Sequence, residues 1–170
     1  GFTHIMNNLL IKDHWARGCV EEVMNGAAYA PSGVCPHQCW SETNVIHPAI
    51  QGMVGWTPDA PSRRAVLRPR FPAHWDTVSV ENLRCGGLRV SLDMERGGGE
   101  TSYVIGCSGE GRAEVTLDIP LPAGMVLASV RIDGKGSEPD STAHGSAMVT
   151  LTVGAGSRRR PLGGSRRGPG

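Results

Sequence analysis

The chain has 170 residues, enough for one domain or two small ones with a buried core. A formal net charge of +1 gives the whole chain no electrostatic case for nucleic acid or an anionic membrane, and no apolar run is long enough to span a bilayer. Five cysteines, an odd number at scattered spacings (Cys19, Cys35, Cys39, Cys85, Cys107), argue against a disulfide framework.

Gly1-Phe2-Thr3-His4 lacks the basic start and apolar block of a secretory leader, and the first residue is not Met. The expectation is a fragment or processed product. Localisation stays open, with the cytoplasm as first choice. Thr3 caps an expected short helix over 3–10, where Ile5, Met6, Leu9 and Leu10 fall at helical spacing. Asp13-His14-Trp15 interrupts that pattern, and Trp15 reads as core, with the wall of a sugar site as the alternative.

Two carboxylates, Glu21 and Glu22, then stand before Gly26. In an extended segment neighbouring side chains point to opposite sides, so one of the two at most can face a substrate. Residues 27–36 hold Pro31, Ser32, Gly33 and Pro36, which is turn chemistry. A second helix starts near Cys39 to Ser41, with Val45, Ile46, Ala49, Ile50, Met53 and Val54 on one face. Glu42 suits its positive end. Pro48 removes a hydrogen bond inside it, so a kink is expected there; Gly55 suits its exit and Pro58 bars continuation. Cys35 and Cys39, with His37 and His47, lack the second close ligand pair of a zinc site. The expectation is buried free thiols, no metal and no cofactor.

Beyond the crossover Thr57 to Ser62 the apolar period becomes two. It runs through Val78 and Val80, then Leu88 to Met94, Ala113 to Ile119, Val126 to Ile132 and Val149 to Val153. Turn residues such as Gly97-Gly98-Gly99 and Asp133-Gly134 separate these runs, which implies an antiparallel sandwich. Residues 155–170 are Gly, Ser, Pro and Arg with almost nothing apolar, and read as a disordered basic tail.

The ordered series Glu22-Val23-Met24-Asn25-Gly26, Pro36-His37-Gln38-Cys39-Trp40-Ser41, Gly52-Met53-Val54-Gly55-Trp56 and Pro58-Asp59-Ala60-Pro61 resembles the C-terminal end of six-hairpin glycoside hydrolases. It is most similar to the amylo-alpha-1,6-glucosidase, glycogen-debranching-like enzymes. Pro72-Ala73-His74-Trp75-Asp76 and Leu83-Arg84-Cys85-Gly86-Gly87 extend the resemblance, which covers roughly residues 1 to 135.

It implies an α+β chain: residues 1–61 as the last helices of an (α/α)6 toroid, residues 62–154 as the sandwich, and the tail after them. It also implies an inverting glycosidase acting on alpha-glucosidic linkages, with Glu22 as the base on water. The second carboxylate and the rest of the toroid would lie upstream, so this chain alone is expected to be inactive. His37, Gln38 and Trp40 are the expected sugar contacts. The bland readings stand beside them: ordinary surface carboxylates for Glu21 and Glu22, a backbone-satisfied helix-start histidine for His37, a packing anchor for Trp40. Trp56 and Trp75 are assigned to the helix–sandwich junction. The expected partners are an oligo- or polysaccharide and the missing part of the toroid, not nucleic acid or membrane. Two alternatives remain: a six-hairpin hydrolase of another glycan such as an alpha-rhamnoside, and a non-catalytic carbohydrate-binding β-module.

Overall fold

A computed structural model describes residues 1–10, 19–35, 37–121, 125–143, 145–159 and 161–167. Trp15 and Pro36 lie outside the described residues. The described chain is mostly β and divides into two compact units, Gly1–Met53 and Val54–Gly170.

In the first unit, α1 (Phe2–Leu10) opens on hydrogen bonds from the His4 and Ile5 amides to the Gly1 carbonyl. Thr3 therefore lies inside the first turn rather than capping it. α1 buries Ile5 and contacts α2 (Cys39–His47). α2 begins where the sequence suggests, with Gln38 at its N-cap and Glu42 in its first turn. At Pro48, whose ring nitrogen has no proton to donate, the helix widens into a π-helical stretch, Pro48–Val54. Gly55, at φ +68°, ends it. A Cβ there would lie 2.2 Å from the Arg68 carbonyl oxygen, so the exit requires glycine twice over.

The second unit is built from alternation. In β4 (Leu88–Gly97) Leu88, Val90, Leu92 and Met94 are buried while Arg89 and Glu95 are exposed. β6 (Arg112–Pro120) buries Ala113, Val115, Leu117 and Ile119 in the same way, and β10 (Ser146–Gly154) buries Ala147, Val149, Leu151 and Val153. Side chains at period two share a face, and these faces join in one core with Leu67, Tyr103 and Ile105.

Two sheets hold that core between them. The first runs β1 (Thr57–Asp59), β2 (Arg64–Leu67), β6, β10, β9 (Ser141–Ala143). The second runs β3 (Thr77–Cys85), β4, β5 (Glu100–Gly109), β12 (Pro161–Arg167), β7 (Met125–Ile132), β8 (Lys135–Ser137), with β11 (Arg158–Arg159) also pairing to β5. Gly98-Gly99 between β4 and β5 and Asp133-Gly134 between β7 and β8 all have positive φ, as tight two-residue hairpins require.

Several expectations need correction. The sandwich is mixed rather than wholly antiparallel, because β2 runs parallel to β6 from Arg64↔Glu114 to Leu67↔Leu117. The linker at Thr57 is itself strand β1, and the boundary between units falls at Met53/Val54 rather than after residue 61. Most of the tail is sheet: Pro161–Arg167 fills the space between β5 and β7, pairing with both. Backbone pairing along both edges places this mostly polar segment in the sheet. Pro161 is buried at its start. Ala128, expected inward, is exposed. Trp56 is buried within the core of the second unit, its indole N–H donating to the Arg84 carbonyl at 3.3 Å. Trp75 stacks on Phe71 at 6.3 Å between ring centres. The toroid that would contain α1 and α2 is not part of the described fold.

Candidate functional site

Glu21 and Glu22 are adjacent in sequence and opposite in role. Glu21 is 5% exposed, and its two carboxylate oxygens accept from the amides of Ser32 and Gly33, both at 2.6 Å. A carboxylate held by two backbone N–H groups is fully engaged in structure. It closes the loop between residues 21 and 33. Met24 bridges to Pro31 within that loop, and the Ser32 hydroxyl donates to the Val23 carbonyl at 2.5 Å. At the tip, Asn25 Oδ1 accepts from the amides of Ala27 and Ala28 at 2.8 and 3.1 Å. This Asx turn satisfies the backbone without any partner from outside the loop.

Glu21 is buried, while Glu22, next to it at a bend, is exposed. Among the described residues Glu22 makes no hydrogen bond to His37, Gln38 or Trp40. The loop thus presents one free carboxylate on a segment that its neighbour anchors.

Gln38 is half-buried, and its carbonyl accepts from the Glu42 amide at 3.0 Å, the first hydrogen bond of α2. Trp40 is 59% exposed, so the reading of it as a packing anchor does not hold among the described residues. His37 is exposed and its Nδ1 lies 2.9 Å from Cys19 Sγ. The backbone-satisfied histidine is therefore replaced by a side-chain pair. Glu42 joins this pair: one ligand-type atom from each of Cys19, His37 and Glu42 lies within 4.8 Å of the others. Partial burial pushes the Cys19 thiol above its ordinary range, and a hydrogen bond and the charge of Glu42 add to the effect.

The expectation of buried thiols holds for Cys85 and Cys107, whose thiols burial pushes up. It fails for Cys35 and Cys39, which are exposed, and for the half-buried Cys19. Sequence spacing does not find this cluster, because it draws on positions 18 and 5 residues apart in three separate segments. The signal that finds it is the loop itself: Glu21 pins the chain back on Ser32 and Gly33, which returns residue 37 toward residue 19.

A second concavity, about 680 Å³, lies in the second unit among Arg70, Phe71, Asp76, Arg96, Glu100 and Tyr103. Arg96 is committed there to the carbonyls of Pro72, Ala73 and Trp75. Tyr103, the one aromatic residue that a sugar-binding sheet would have to offer, is 2% exposed, and burial pushes its phenol up to about 12.

No protein-family model matches the sequence, and no curated protein does. Solved structures do match in fold. An alpha-L-rhamnosidase from Dictyoglumus thermophilum aligns over 88% of this chain with a TM-score of 0.55 at 11% identity. A Streptomyces avermitilis alpha-L-rhamnosidase complexed with L-rhamnose aligns over 75% with a TM-score of 0.50 at 17% identity. A GH127 beta-L-arabinofuranosidase from Geobacillus stearothermophilus T6 aligns over 79% with a TM-score of 0.47 at 16% identity. The chain spans only 16%, 11% and 19% of those chains, respectively. It shares a fold with a small part of known glycoside hydrolases. Among the described residues no helix is long and apolar enough to cross a membrane.

Proposed function

We propose that the chain works as a C-terminal portion of a six-hairpin glycoside hydrolase, with an oligo- or polysaccharide as substrate. The observation that carries this reading is the division of labour between Glu21 and Glu22. One carboxylate is spent on holding a loop, and its neighbour is left exposed on that held segment, followed in sequence by His37, Gln38 and Trp40. In an inverting mechanism the exposed carboxylate takes the proton of the attacking water, while an acid on the other side of the glycosidic bond protonates the leaving oxygen. Glu22 fills the first role. The acid comes from the remainder of a longer chain, as do the other toroid helices. Exposed apolar residues on the first unit, Met6, Leu10, Trp40, Ile46 and Ile50 among them, suit a surface that those helices cover.

The motif series favours an alpha-1,6-type glucosidic linkage. A second reading, an alpha-rhamnoside, is favoured by the two fold neighbours with TM-scores of 0.50 and above. The test is the enzyme with its upstream sequence restored, assayed on paired alpha-glucoside and alpha-rhamnoside substrates. Glu22→Gln should lower kcat roughly a hundredfold to ten-thousandfold with little change in KM. Glu21→Gln should act differently. An amide NH2 group would face a backbone N–H, so the loop loosens and proteolysis between residues 25 and 33 accelerates. Near-normal turnover of Glu22→Gln would remove the assignment.

A further inference from the structure

We infer that Cys19, His37 and Glu42 form a binding site for a zinc-class divalent cation, which locks the segment carrying Glu22 to the start of α2. The three donors come from three parts of the chain: the segment before Glu21, the loop before α2, and the first turn of α2. They offer a thiol sulfur, an imidazole nitrogen and a carboxylate oxygen. This mixed set suits zinc, whose sites with three protein ligands keep a fourth position for water or substrate.

The distances fit a site that closes on its ion. Ligand atoms bound tetrahedrally to zinc stand roughly 3.5 Å apart, given metal–ligand bonds of about 2.0–2.3 Å. All three donor atoms already lie within 4.8 Å of one another. The Sγ–Nδ1 separation of 2.9 Å is that of a hydrogen-bonded pair and opens by about half an ångström to admit the ion. Cys19 and Glu42 are half-buried and His37 is exposed, so an ion has access and the rearrangement is small.

The electrostatics favour a cation over a reactive thiol. A Cys–His pair serves as a nucleophile when its surroundings stabilise the thiolate. The Glu42 carboxylate beside this sulfur does the opposite. A divalent cation resolves the conflict, because sulfur gives its proton to solvent and both anions then share one positive partner. The consequence is mechanical. Glu21 anchors the Glu22 segment to Ser32 and Gly33, and the metal adds a second anchor three residues before Glu22. This inference stands whether or not the chain belongs to a glycosidase.

The experiment uses the full 170-residue protein, stripped with a chelator under reducing conditions and titrated with Zn2+ and, as a spectroscopic probe, Co2+. One equivalent should bind, and Co2+ should show a near-ultraviolet thiolate charge-transfer band. The double variant Cys35→Ser/Cys39→Ser removes the exposed thiols outside the cluster and should retain both stoichiometry and band. Cys19→Ser should lose the band, and Glu42→Gln should keep it with at least about tenfold weaker binding. Three results overturn the inference: no stoichiometric binding by wild-type protein with an intact strand spectrum, loss of the band in the double variant, or unchanged affinity in Glu42→Gln. The first would leave Cys19 and His37 as a simple hydrogen-bonded pair.

Discussion

The two units differ in how they satisfy their apolar side chains. In Val54–Gly170 two sheets face one another, and Leu67, Leu92, Ile105, Val115 and Leu117 are at 0% exposure. In Gly1–Met53 the buried apolar side chains among the described residues are Ile5 and Val20, while Trp40 and Ile46 are 59% and 64% exposed. Polar groups hold the first unit together instead: the Glu21 clamp, the Asx turn at Asn25 and the Cys19–His37–Glu42 cluster. Polar contacts fix geometry well but contribute little net stability each. The second unit therefore has a complete apolar core of its own, and the first unit has almost none among the described residues.

The comparison breaks most visibly at the tail. Deleting residues 156–170 removes the strand between β5 and β7 and should lower Tm by more than roughly 10 °C, or abolish a cooperative melt. An unchanged melting curve would mean that β12 contributes nothing to the sheet. Next in size is the core. Leu92→Ala, in the second unit, should cost about 3 kcal/mol in chemical denaturation, because the cavity it leaves cannot collapse. Ile46→Ala, in the first unit, should cost less than about 0.5 kcal/mol, since the side chain is mostly in water.

Tyr103 sharpens the picture through pH. Its folded-state phenol titrates at about 12, above the unfolded value near 10, so burial favours the neutral form. The stabilisation is fully present below pH 10 and is lost as pH rises through 12. The loss is at most about 3 kcal/mol, and Tyr103→Phe should flatten that part of the alkaline limb of a stability–pH profile. A smaller effect is expected at Asp118, 3% exposed, whose Oδ2 accepts from Arg68 Nε at 2.5 Å while Oδ1 lies 3.9 Å from Arg70 and has no hydrogen-bond partner among the described residues. Arg68→Ala strands that buried charge. Arg68 is itself about half exposed, so solvent screening holds the cost to about 1–2 kcal/mol in the same denaturation assay.

Much of the second unit was legible in the sequence because strands such as β4, β6 and β10 announce themselves locally. Leu88-Arg89-Val90-Ser91-Leu92 alternates, and Asp133-Gly134 turns, whatever lies elsewhere. β12 was not legible, because Gly163-Gly164-Ser165-Arg166-Arg167 carries no apolar alternation and its partners lie about thirty and sixty residues upstream. The parallel pairing of β2 with β6 is equally non-local. In the first unit, local turn chemistry marked the loop and the start of α2. The contrast between Glu21 and Glu22 could be argued from an extended backbone, but which carboxylate turns inward depends on the distant amides of Ser32 and Gly33. The Cys19–His37–Glu42 cluster was hidden for the same reason: spacing rules search for neighbours in sequence, and here the loop makes neighbours in space.

The contrast between the units is tested most directly by amide hydrogen exchange on the intact chain. Amides of β4, β6 and β10 should exchange slowly and together, at a protection close to the global stability of Val54–Gly170. Amides of α1 and α2 should exchange orders of magnitude faster, with the Glu21-held amides of Ser32 and Gly33 the slowest of their loop. Equal protection across both units would contradict the account, since it would show Gly1–Met53 to be as complete a folding unit as the sandwich.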